Sequence, residues 1–186
     1  MEISSIISKK DLIDYLNLGN QVKYLYFWGH QQSKNNLVGK SSLSQWYEAT
    51  FKLDNIEYKT AEHYMMAEKA RLFNDQEILT QIISAFNPGE AKKLGRLVRG
   101  FDQEIWSQHR SQIVIRGNLA KFEQNEALGK FLVSTGKHIL VEASPKDRIW
   151  GIGIDENNLD VANPYRWKGQ NLLGFALVEV RNILRG

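Results

Sequence analysis

Residues 59–73, KTAEHYMMAEKARLF, are the stretch on which our fold prediction depends. They raise the question of why two charged side chains would lie on the apolar face of a helix. The run lacks proline and glycine and is long enough for three helical turns. In a helix, successive side chains are rotated by about 100°, so residues three, four and seven apart share a face. One face then carries an apolar stripe that also contains a carboxylate and an ammonium group: Glu62, Met65, Met66, Lys69, Leu72 and Phe73.

Two explanations account for charges in such a stripe. Glu62 and Lys69 are seven residues apart, about 10.5 Å along a helix axis, so they cannot form the local ion pair of residues four apart. An unpaired buried charge costs several kcal/mol, so each group needs a distant partner or faces a cavity. Alternatively, both lie at the edge of the stripe, with Lys69 extended to solvent and Glu62 stabilising the first helical turn.

The rest of the chain reads as a mainly helical domain with a small sheet, so we predict the α+β class. Aromatic and β-branched runs predict a strand ending at Gly29, a hairpin around Asp54-Asn55 and a buried strand in HILVEAS. A polar loop is expected at 30–42. Apolar spacing and capping residues predict helices at 10–17, 76–85 with Asn74 as the cap, 89–98, 102–123 capped by Asp102, 125–134 capped by Asn125, and from Asn171 to the C-terminus.

Composition narrows the class of protein. The chain has 186 residues, 42% of them hydrophobic and 24% charged, which suits one compact domain. It contains no cysteine, no signal-peptide pattern and no apolar run long enough for a membrane helix, so we expect a cytoplasmic protein without a membrane partner. The net charge is +3, and the pI near 9.0 is compatible with a phosphate-bearing ligand.

The stretch VEASPKDRIWGIGI, residues 141–154, is a second candidate site. A strand runs into a turn that presents Asp147, and Trp150 precedes Gly151, where a glycine allows a ligand to approach the backbone. A carboxylate and an indole at the end of a strand suit a planar base attached to a sugar. The ordinary explanation is a surface turn with a tryptophan in the core.

The stretch NPYRWKGQNLLGFALVEVR, residues 163–181, is a third candidate. Asn171 is expected to cap the final helix, leaving backbone N–H groups at its start available to a phosphate. Arg181 lies inside that helix among apolar residues, so it pairs with a buried carboxylate or reaches an anionic ligand. The basic residues of 92–99 also fall near helical spacing, which is typical of a solvated face.

Several other classes of site find no support in the sequence. The four histidines are not clustered and show no metal-ligand spacing, so we expect no metal. Walker loops, serine nucleophile elbows and kinase motifs are absent.

Eight blocks of the sequence together resemble the NADAR, or YbiA-like, family. In order along the chain, from about residue 24 to 185, they are YFWGH, LSQWYEATF, TAEHYMMAEKARLF, AKKLGRLV, FDQEIWSQHR, GNLAKFEQN, LVEASPKDRIWGIGI and NPYRWKGQNLLGFALVEVR. Agreement over many separate blocks is far more specific than one short motif. We therefore predict a NADAR-like domain at 21–186 and an N-terminal extension at 1–20.

The resemblance implies an α+β fold and N-glycosidase activity. Family members cleave the bond between ribose and base in phosphorylated riboflavin-pathway intermediates, and related members remove ADP-ribose from guanine in nucleic acid. Carried over by motif, the catalytic residues are Glu62, Trp106 and Asp147, and Lys69 matches a lysine thought to attack the sugar in the ADP-ribosyl-removing relatives. The YFWGH block and the loop at 155–168 depart from the shortest members, which leaves substrate choice open.

Two chemical routes remain open at this stage. One carboxylate stabilises the positive charge that develops on the sugar while the other assists the departing base, or a desolvated Lys69 attacks C1′ as a nucleophile. Neither route needs a cofactor. A non-catalytic module that binds ADP-ribosyl ligands, or a nucleic-acid-binding protein, is the alternative. The residues expected to contact the substrate are Gly29, Trp46, Trp150, Gly151, Asn171 and Arg181.

Overall fold

The structure is a computed structural model that describes residues 2–31 and 37–186. Within those ranges the chain forms seven α-helices and four strands, which confirms the α+β class. The central part of the polar loop predicted at 30–42 lies outside the described residues, and Lys40–Leu43 forms a short 3₁₀ helix. The elements are α1 Lys9–Asn17, β1 Tyr24–Phe27, β2 Phe51–Leu53, β3 Ile56–Tyr58, α2 Ala61–Leu72, α3 Gln76–Ser84, α4 Pro88–Gly95, α5 Gln103–Gln124, α6 Glu126–Ser134, β4 Ile139–Glu142 and α7 Leu172–Arg185.

The chain divides into two compact units. We call Met1–Ser44 together with Ala127–Gly186 the sheet unit, and Gln45–Glu126 the helical unit. None of the helices in the described ranges is long and apolar enough to cross a membrane.

The sheet unit is built on β1 and β4, which pair in parallel from Tyr24↔Ile139 to Phe27↔Glu142. Helix α7 packs on β4, and it lies so close that a side chain at Gly174 would collide with the carbonyl oxygen of Leu140. Parallel strands place their carboxyl ends at the same edge. The residues that follow β1 and β4 therefore start from a common edge of the sheet.

The residues before β1 are part of the core of the sheet unit. Ile6 and Leu12 are fully buried and belong to the same apolar cluster as Val141 and Phe175. Helix α1 begins at a cap in which Ser8 Oγ accepts a hydrogen bond from the backbone of Asp11. Although the family resemblance leaves these residues out, they supply apolar surface that the sheet unit buries.

The helical unit is organised around α2, which contacts α3, α4, α5 and β3. The predicted hairpin is confirmed: β2 and β3 pair antiparallel, and Asp54 and Asn55 have φ of 51° and 63°. Two consecutive left-handed residues are the signature of the tight turn whose twist matches antiparallel strands. The hairpin leads into the first turn of α2.

Three details of the helical unit differ from the prediction. The helix at 61–72 is buried all round in its first two turns rather than along one stripe, because α3, α4 and α5 pack on different sides of it. Asp75, not Asn74, caps α3, since Asn74 takes a left-handed conformation just after α2. Helix α4 ends at Gly95, earlier than predicted.

Candidate active site

The first turn of α2 is held by a buried cap. Thr60 Oγ1 accepts a hydrogen bond from the backbone N–H of His63 at 3.3 Å and lies 2.8 Å from His63 Nδ1. The other ring nitrogen, Nε2, lies 3.3 Å from the carbonyl oxygen of Ala85, which can only accept, so Nε2 carries the proton. Burial lowers the pKa of His63, which keeps the imidazole neutral.

Glu62 lies in this first turn and is 2% exposed. Its backbone N–H donates to the carbonyl oxygen of Gln45 at 3.0 Å. Gln45 is held in turn by Asn118 Nδ2, which donates to Gln45 Oε1 at 2.7 Å and to the Val114 carbonyl at 2.8 Å. The edge position that the ordinary explanation gave to Glu62 is wrong, because α5 and the segment before Trp46 enclose this turn. A helix N-terminus favours a carboxylate there.

Lys69 is half-buried, two turns further along α2. Its Nζ donates to the carbonyl oxygen of Gly95 at 2.7 Å, lies 4.1 Å from the centre of the Phe101 ring and 6.0 Å from that of Trp106. Desolvation lowers the pKa of Lys69, and the nearby guanidinium of Arg96 lowers it further. A lowered pKa raises the fraction of neutral amine, the form that can attack carbon.

The two tryptophans of the helical unit that the sequence singled out lie along α4 and α5. Trp106 is 8% exposed on α5 and faces Lys69. Trp46 is half-buried beside the first turn of α4, where a side chain at Gly89 would lie 3.6 Å from its ring. The Nζ atom of Lys92 stands 5.8 Å from the centre of the Trp46 ring. The structure thus places Trp106 beside Lys69. Trp46 directly follows Gln45, whose carbonyl oxygen accepts the hydrogen bond from the backbone of Glu62.

Sequence reasoning missed two residues of this neighbourhood. Phe101 contacts the ammonium of Lys69 although it is 41% exposed. Arg96 affects the same ammonium but belongs to the basic run that was assigned to a solvated face. The signal for Phe101 was its place directly before Asp102, the cap of α5. No local pattern distinguishes Arg96 from its basic neighbours.

In the sheet unit, Asp147 holds a turn after β4. Its Oδ1 accepts hydrogen bonds from the backbone N–H groups of Ile149 and Trp150, both at 2.8 Å. Ser144 Oγ lies 3.3 Å from the backbone nitrogen of Asp147 and accepts its hydrogen bond. Asp147 and Trp150 are half-buried. One carboxylate oxygen is therefore committed to the turn, and Oδ2 is the oxygen that a ligand would meet.

The two glycines predicted to contact the substrate, Gly29 and Gly151, differ in burial within the sheet unit. Gly29 is exposed, with φ of 80°, two residues after β1, and it follows Trp28, whose side chain is 62% exposed. Gly151 is buried, and a side chain there would lie 2.8 Å from the carbonyl oxygen of Glu142. The close approach of β4 therefore requires a glycine at this position, and contact of Gly151 with a ligand stays a prediction.

The N-terminus of α7 is not available to a phosphate. The backbone N–H groups of 171–173 donate to the carbonyl oxygens of Gly151, Ile149 and Trp150 at 3.1–3.2 Å. Asn171 has φ of 55° and forms no side-chain cap. Instead its Oδ1 accepts from the backbone N–H of Glu142, and its Nδ2 donates to the Leu140 carbonyl, both at 2.9 Å. The predicted anion seat and side-chain cap are both wrong, since β4 and the loop after it use these groups.

Arg181 is 3% exposed in the middle of α7. Its Nη1 donates to Thr135 Oγ1 at 2.9 Å and to the carbonyl oxygen of His138 at 2.8 Å. Burial lowers the pKa of Arg181 to about 10, so the group stays charged at neutral pH. The partner is a hydroxyl and a backbone carbonyl rather than the carboxylate that the sequence suggested, and the contacts join α7 to the segment before β4.

The structure therefore groups the predicted residues within each unit. Glu62, Lys69, Trp106 and Trp46 surround α2 and α4 in the helical unit, while Asp147, Trp150, Gly151 and Asn171 share the junction between β4 and α7 in the sheet unit. Among the residues that the structure describes, no group of three or more histidine, aspartate or glutamate side chains is arranged to hold a metal ion.

Comparison with known proteins gives a consistent result. Residues 26–185 match the family model described as the NADAR domain. The chain is 41% identical over 164 residues to the N-glycosidase R617 of Acanthamoeba polyphaga mimivirus, covering 86% of this chain and 95% of that protein. It is 33% identical over 128 residues to the N-glycosidase Npun_R5314 of Nostoc punctiforme, covering 69% and 75%.

A solved structure agrees with the sequence matches. The NMR structure of the Escherichia coli protein YbiA superimposes with a TM-score of 0.69 at 28% identity, covering 89% of this chain and 87% of YbiA. The matched region contains the buried glutamate of α2, the lysine two turns later and the aspartate turn after β4. The chain belongs to the NADAR domain family.

Proposed function

We propose that this protein hydrolyses the N-glycosidic bond between ribose and base in a phosphorylated ribosylated base of the riboflavin-pathway type. The relatives in mimivirus and Nostoc punctiforme are named N-glycosidases, and this chain is a hydrolase of N-glycosyl bonds on that basis. The finer proposal, the phosphorylated substrate, is supported by the charges around the helical part of the site. The observation that carries the proposed bond cleavage is the buried carboxylate of Glu62 on the same helix as the partly desolvated ammonium of Lys69.

The bond to be broken joins C1′ of the ribose to a nitrogen of the base. As it breaks, positive charge builds on C1′ and the ring oxygen, and the electron pair leaves with the base. A fixed carboxylate in a poorly hydrated site stabilises that charge without having to reorganise. Glu62 suits this role because its burial and its tethered backbone hold it in one place. Water then supplies a hydroxyl to C1′ and a proton to the base.

Asp147 keeps the role that the family resemblance gives it, with Oδ2 as the oxygen that assists the departing base or orients water. Trp106 and Trp150 provide flat apolar faces suited to a base, and Trp46 lies beside the cationic face of α4. Gly29 and Gly151 shape the backbone near the sheet edge. We propose that Asn171 and Arg181 act on the substrate only through the loops that they anchor.

A covalent route through Lys69 is the alternative mechanism. The neutral amine would replace the base at C1′ and form an imine with the opened ribose, which water then hydrolyses. Its contacts with Phe101 and Gly95 hold the amine in place, and its lowered pKa favours the neutral form. Borohydride reduces an imine to a stable amine, so trapping during turnover should add the mass of the phosphoribosyl group plus two hydrogens to Lys69. No added mass under active conditions rejects this route.

A direct test incubates the protein with a panel of ribosylated bases and identifies the released base by mass spectrometry. The panel contains phosphorylated ribosylaminopyrimidines, their dephosphorylated forms and ADP-ribosylated guanine, free and in a nucleic-acid strand. Release from the phosphorylated pyrimidines supports the proposal, whereas release only from guanine assigns the second known family activity. Binding of ADP-ribose without release from any compound indicates a non-catalytic module.

A cytoplasmic location stays a prediction.

A further inference from the structure

Two cations lie at the C-terminal part of α4: Lys92 in its last turn and Arg96, the C-cap, whose backbone is still helical. Lys92 and Arg96 are four residues apart, so their side chains are neighbours one turn apart on the helix surface. Lys92 is half-buried and Arg96 is exposed. Like charges at this spacing destabilise an isolated helix by a few tenths of a kcal/mol. The macrodipole at the C-terminal end of α4 favours cations and offsets this repulsion.

A third cation, Lys69, approaches the C-terminal end of the same helix. Its Nζ is bonded to the carbonyl oxygen of Gly95, the last residue of α4, and Arg96 is close enough to lower its pKa. At the other end of the pair, the ammonium of Lys92 stands over the ring of Trp46. Three positive groups and an indole thus follow one side of α4, beside the α2 helix that carries Glu62.

Four other cations of the helical unit lie beside carboxylates. Arg71 pairs with Glu68, Arg116 with Asp54, Lys52 with Glu57, and Arg99 with both Asp75 and Glu77. In contrast, within residues 2–31 and 37–186 no carboxylate lies within 4.0 Å of Lys69, Lys92 or Arg96. The positive groups at the C-terminal part of α4 therefore lie near one another without an ion-pair partner among the described residues, unlike the four paired cations.

We infer that Lys92 and Arg96 form the seat for the phosphate group of the substrate, with Lys69 at its inner end. The inference rests on the proposed function, because it assigns a location to the phosphate that the proposed substrate carries. The planar guanidinium of Arg96 can donate two parallel hydrogen bonds to phosphate oxygens, and Lys92 adds a point charge. The Trp46 face beside Lys92 then borders the sugar. Arg96 and Lys92 are specificity-determining residues that select phosphorylated over unphosphorylated ribosyl compounds.

Equilibrium binding tests the seat without depending on turnover. Calorimetric titration of the wild-type protein with ribose 5-phosphate and with ribose, at constant ionic strength, measures the preference for phosphate. We expect Arg96→Gln and Lys92→Gln each to weaken ribose 5-phosphate binding by about 10-fold or more, the size of one charge-assisted hydrogen bond. Ribose binding should be unchanged. Lys52→Gln removes an exposed charge of the same unit and should leave both affinities unchanged.

Turnover separates this inference from the proposed function. The readout is kcat/KM for a phosphorylated substrate divided by that for its dephosphorylated form, a ratio that cancels any effect of Arg96 on the chemistry of Lys69. The ratio should fall in Arg96→Gln and Lys92→Gln, chiefly through KM, and Arg96→Lys should restore part of it. An unchanged ratio in an active, folded variant overturns the seat and leaves the glycosidase intact. If the variants bind ribose 5-phosphate more weakly but the wild-type protein releases no base from any compound, the phosphate seat is retained and the proposed function is overturned.

Discussion

Two polar side chains of the sheet unit and one of the helical unit are held by contacts of different kinds. In the sheet unit, Asn171 and Arg181 are bonded to backbone groups of β4 and its flanking segments. In the helical unit, the ammonium of Lys92 instead lies over the ring of Trp46, 5.8 Å from its centre. Breaking a buried hydrogen bond leaves a group unsatisfied at a cost of about 1–3 kcal/mol, whereas an exposed cation–ring contact contributes about 0.5–1 kcal/mol.

This difference distinguishes residues that hold the fold from a residue that we propose binds the substrate. A group bonded to the backbone cannot turn to a ligand without loosening the fold, so Asn171 and Arg181 are fixed parts of the sheet unit. A cation over a ring can shift toward an anion with a smaller loss. Polar residues that the sequence singled out in similar ways therefore differ in how freely they can reach a ligand.

The largest expected effect is on turnover. Glu62→Gln keeps the shape of the side chain and removes its charge, so kcat/KM for the best substrate should fall by at least ~10²-fold, a size typical of a group acting in the transition state. Steady-state kinetics measures the loss, and thermal unfolding confirms that the variant is folded. Glu57→Gln, at an exposed position of the same unit, is the matched control. Unchanged turnover in a folded Glu62 variant removes Glu62 from the mechanism. It also contradicts the proposal that the helical unit supplies a catalytic carboxylate.

The next effect concerns Lys121, which is 0% exposed on α5. Burial lowers the pKa of Lys121 from 10.5 to about 7. Between these values the unfolded chain binds a proton that the folded protein has released, so stability rises with pH; below about 7 both states are protonated and the dependence ends. The wild type should therefore gain stability relative to Lys121→Met by at most ~1.4 kcal/mol per pH unit from pH 7 upward. Urea unfolding of both proteins at pH 7, 8 and 9 measures the difference, and parallel curves contradict the prediction.

A smaller effect is expected at Asn171. Replacement by glycine keeps the left-handed backbone but removes the two hydrogen bonds to β4, which should lower the free energy of unfolding by about 2 kcal/mol. Replacement by alanine should cost about 1 kcal/mol more, because alanine resists a positive φ. Denaturant unfolding of the two variants separates the contributions. Equal stability of both variants and the wild type would show that the α7–β4 contacts are not part of the scaffold.

The smallest effect is expected for the exposed ion pair between Lys52 and Glu57, whose side chains are 70% and 59% exposed at 3.7 Å. Lys52→Gln and Glu57→Gln should each change the free energy of unfolding by less than ~0.5 kcal/mol, since solvent screens such pairs. The same unfolding measurements give the value. A loss as large as that at Asn171 would mean that surface charges, and not only backbone-bonded groups, hold this fold.

Local patterns predicted much of the architecture. The left-handed Asp54-Asn55 turn, the cap at Asp102 and the buried strand at 139–142 depend on neighbours in sequence, and all were found. The cap at Asn74 was wrong because two adjacent residues, Asn74 and Asp75, both suit a cap. Which of them ends α2 and which begins α3 depends on packing: Asp75 is 3% exposed and also pairs with Arg99.

The candidate site divides in the same way. The sequence singled out Glu62, Lys69, Trp106 and Asp147 through motifs. It did not show that the N–H groups at the start of α7 are bonded to the loop at 149–151, nor that Asp147 Oδ1 holds a turn. Neither could be predicted, because a free helix N-terminus and a free carboxylate look the same in sequence as hydrogen-bonded ones.

The sequence by itself determined the family, the α+β class and the presence of two charges on the helix at 61–72. Only the tertiary structure decided which polar groups are committed to the backbone and which lie against aromatic faces, and it brought Arg96 and Phe101 to Lys69. The physical reason is the separation along the chain over which each interaction acts. Helix and strand propensity, capping and turn chemistry depend on residues only a few positions apart. Hydrogen-bond partners and desolvation are instead set by segments that are distant along the chain and become neighbours only when it folds.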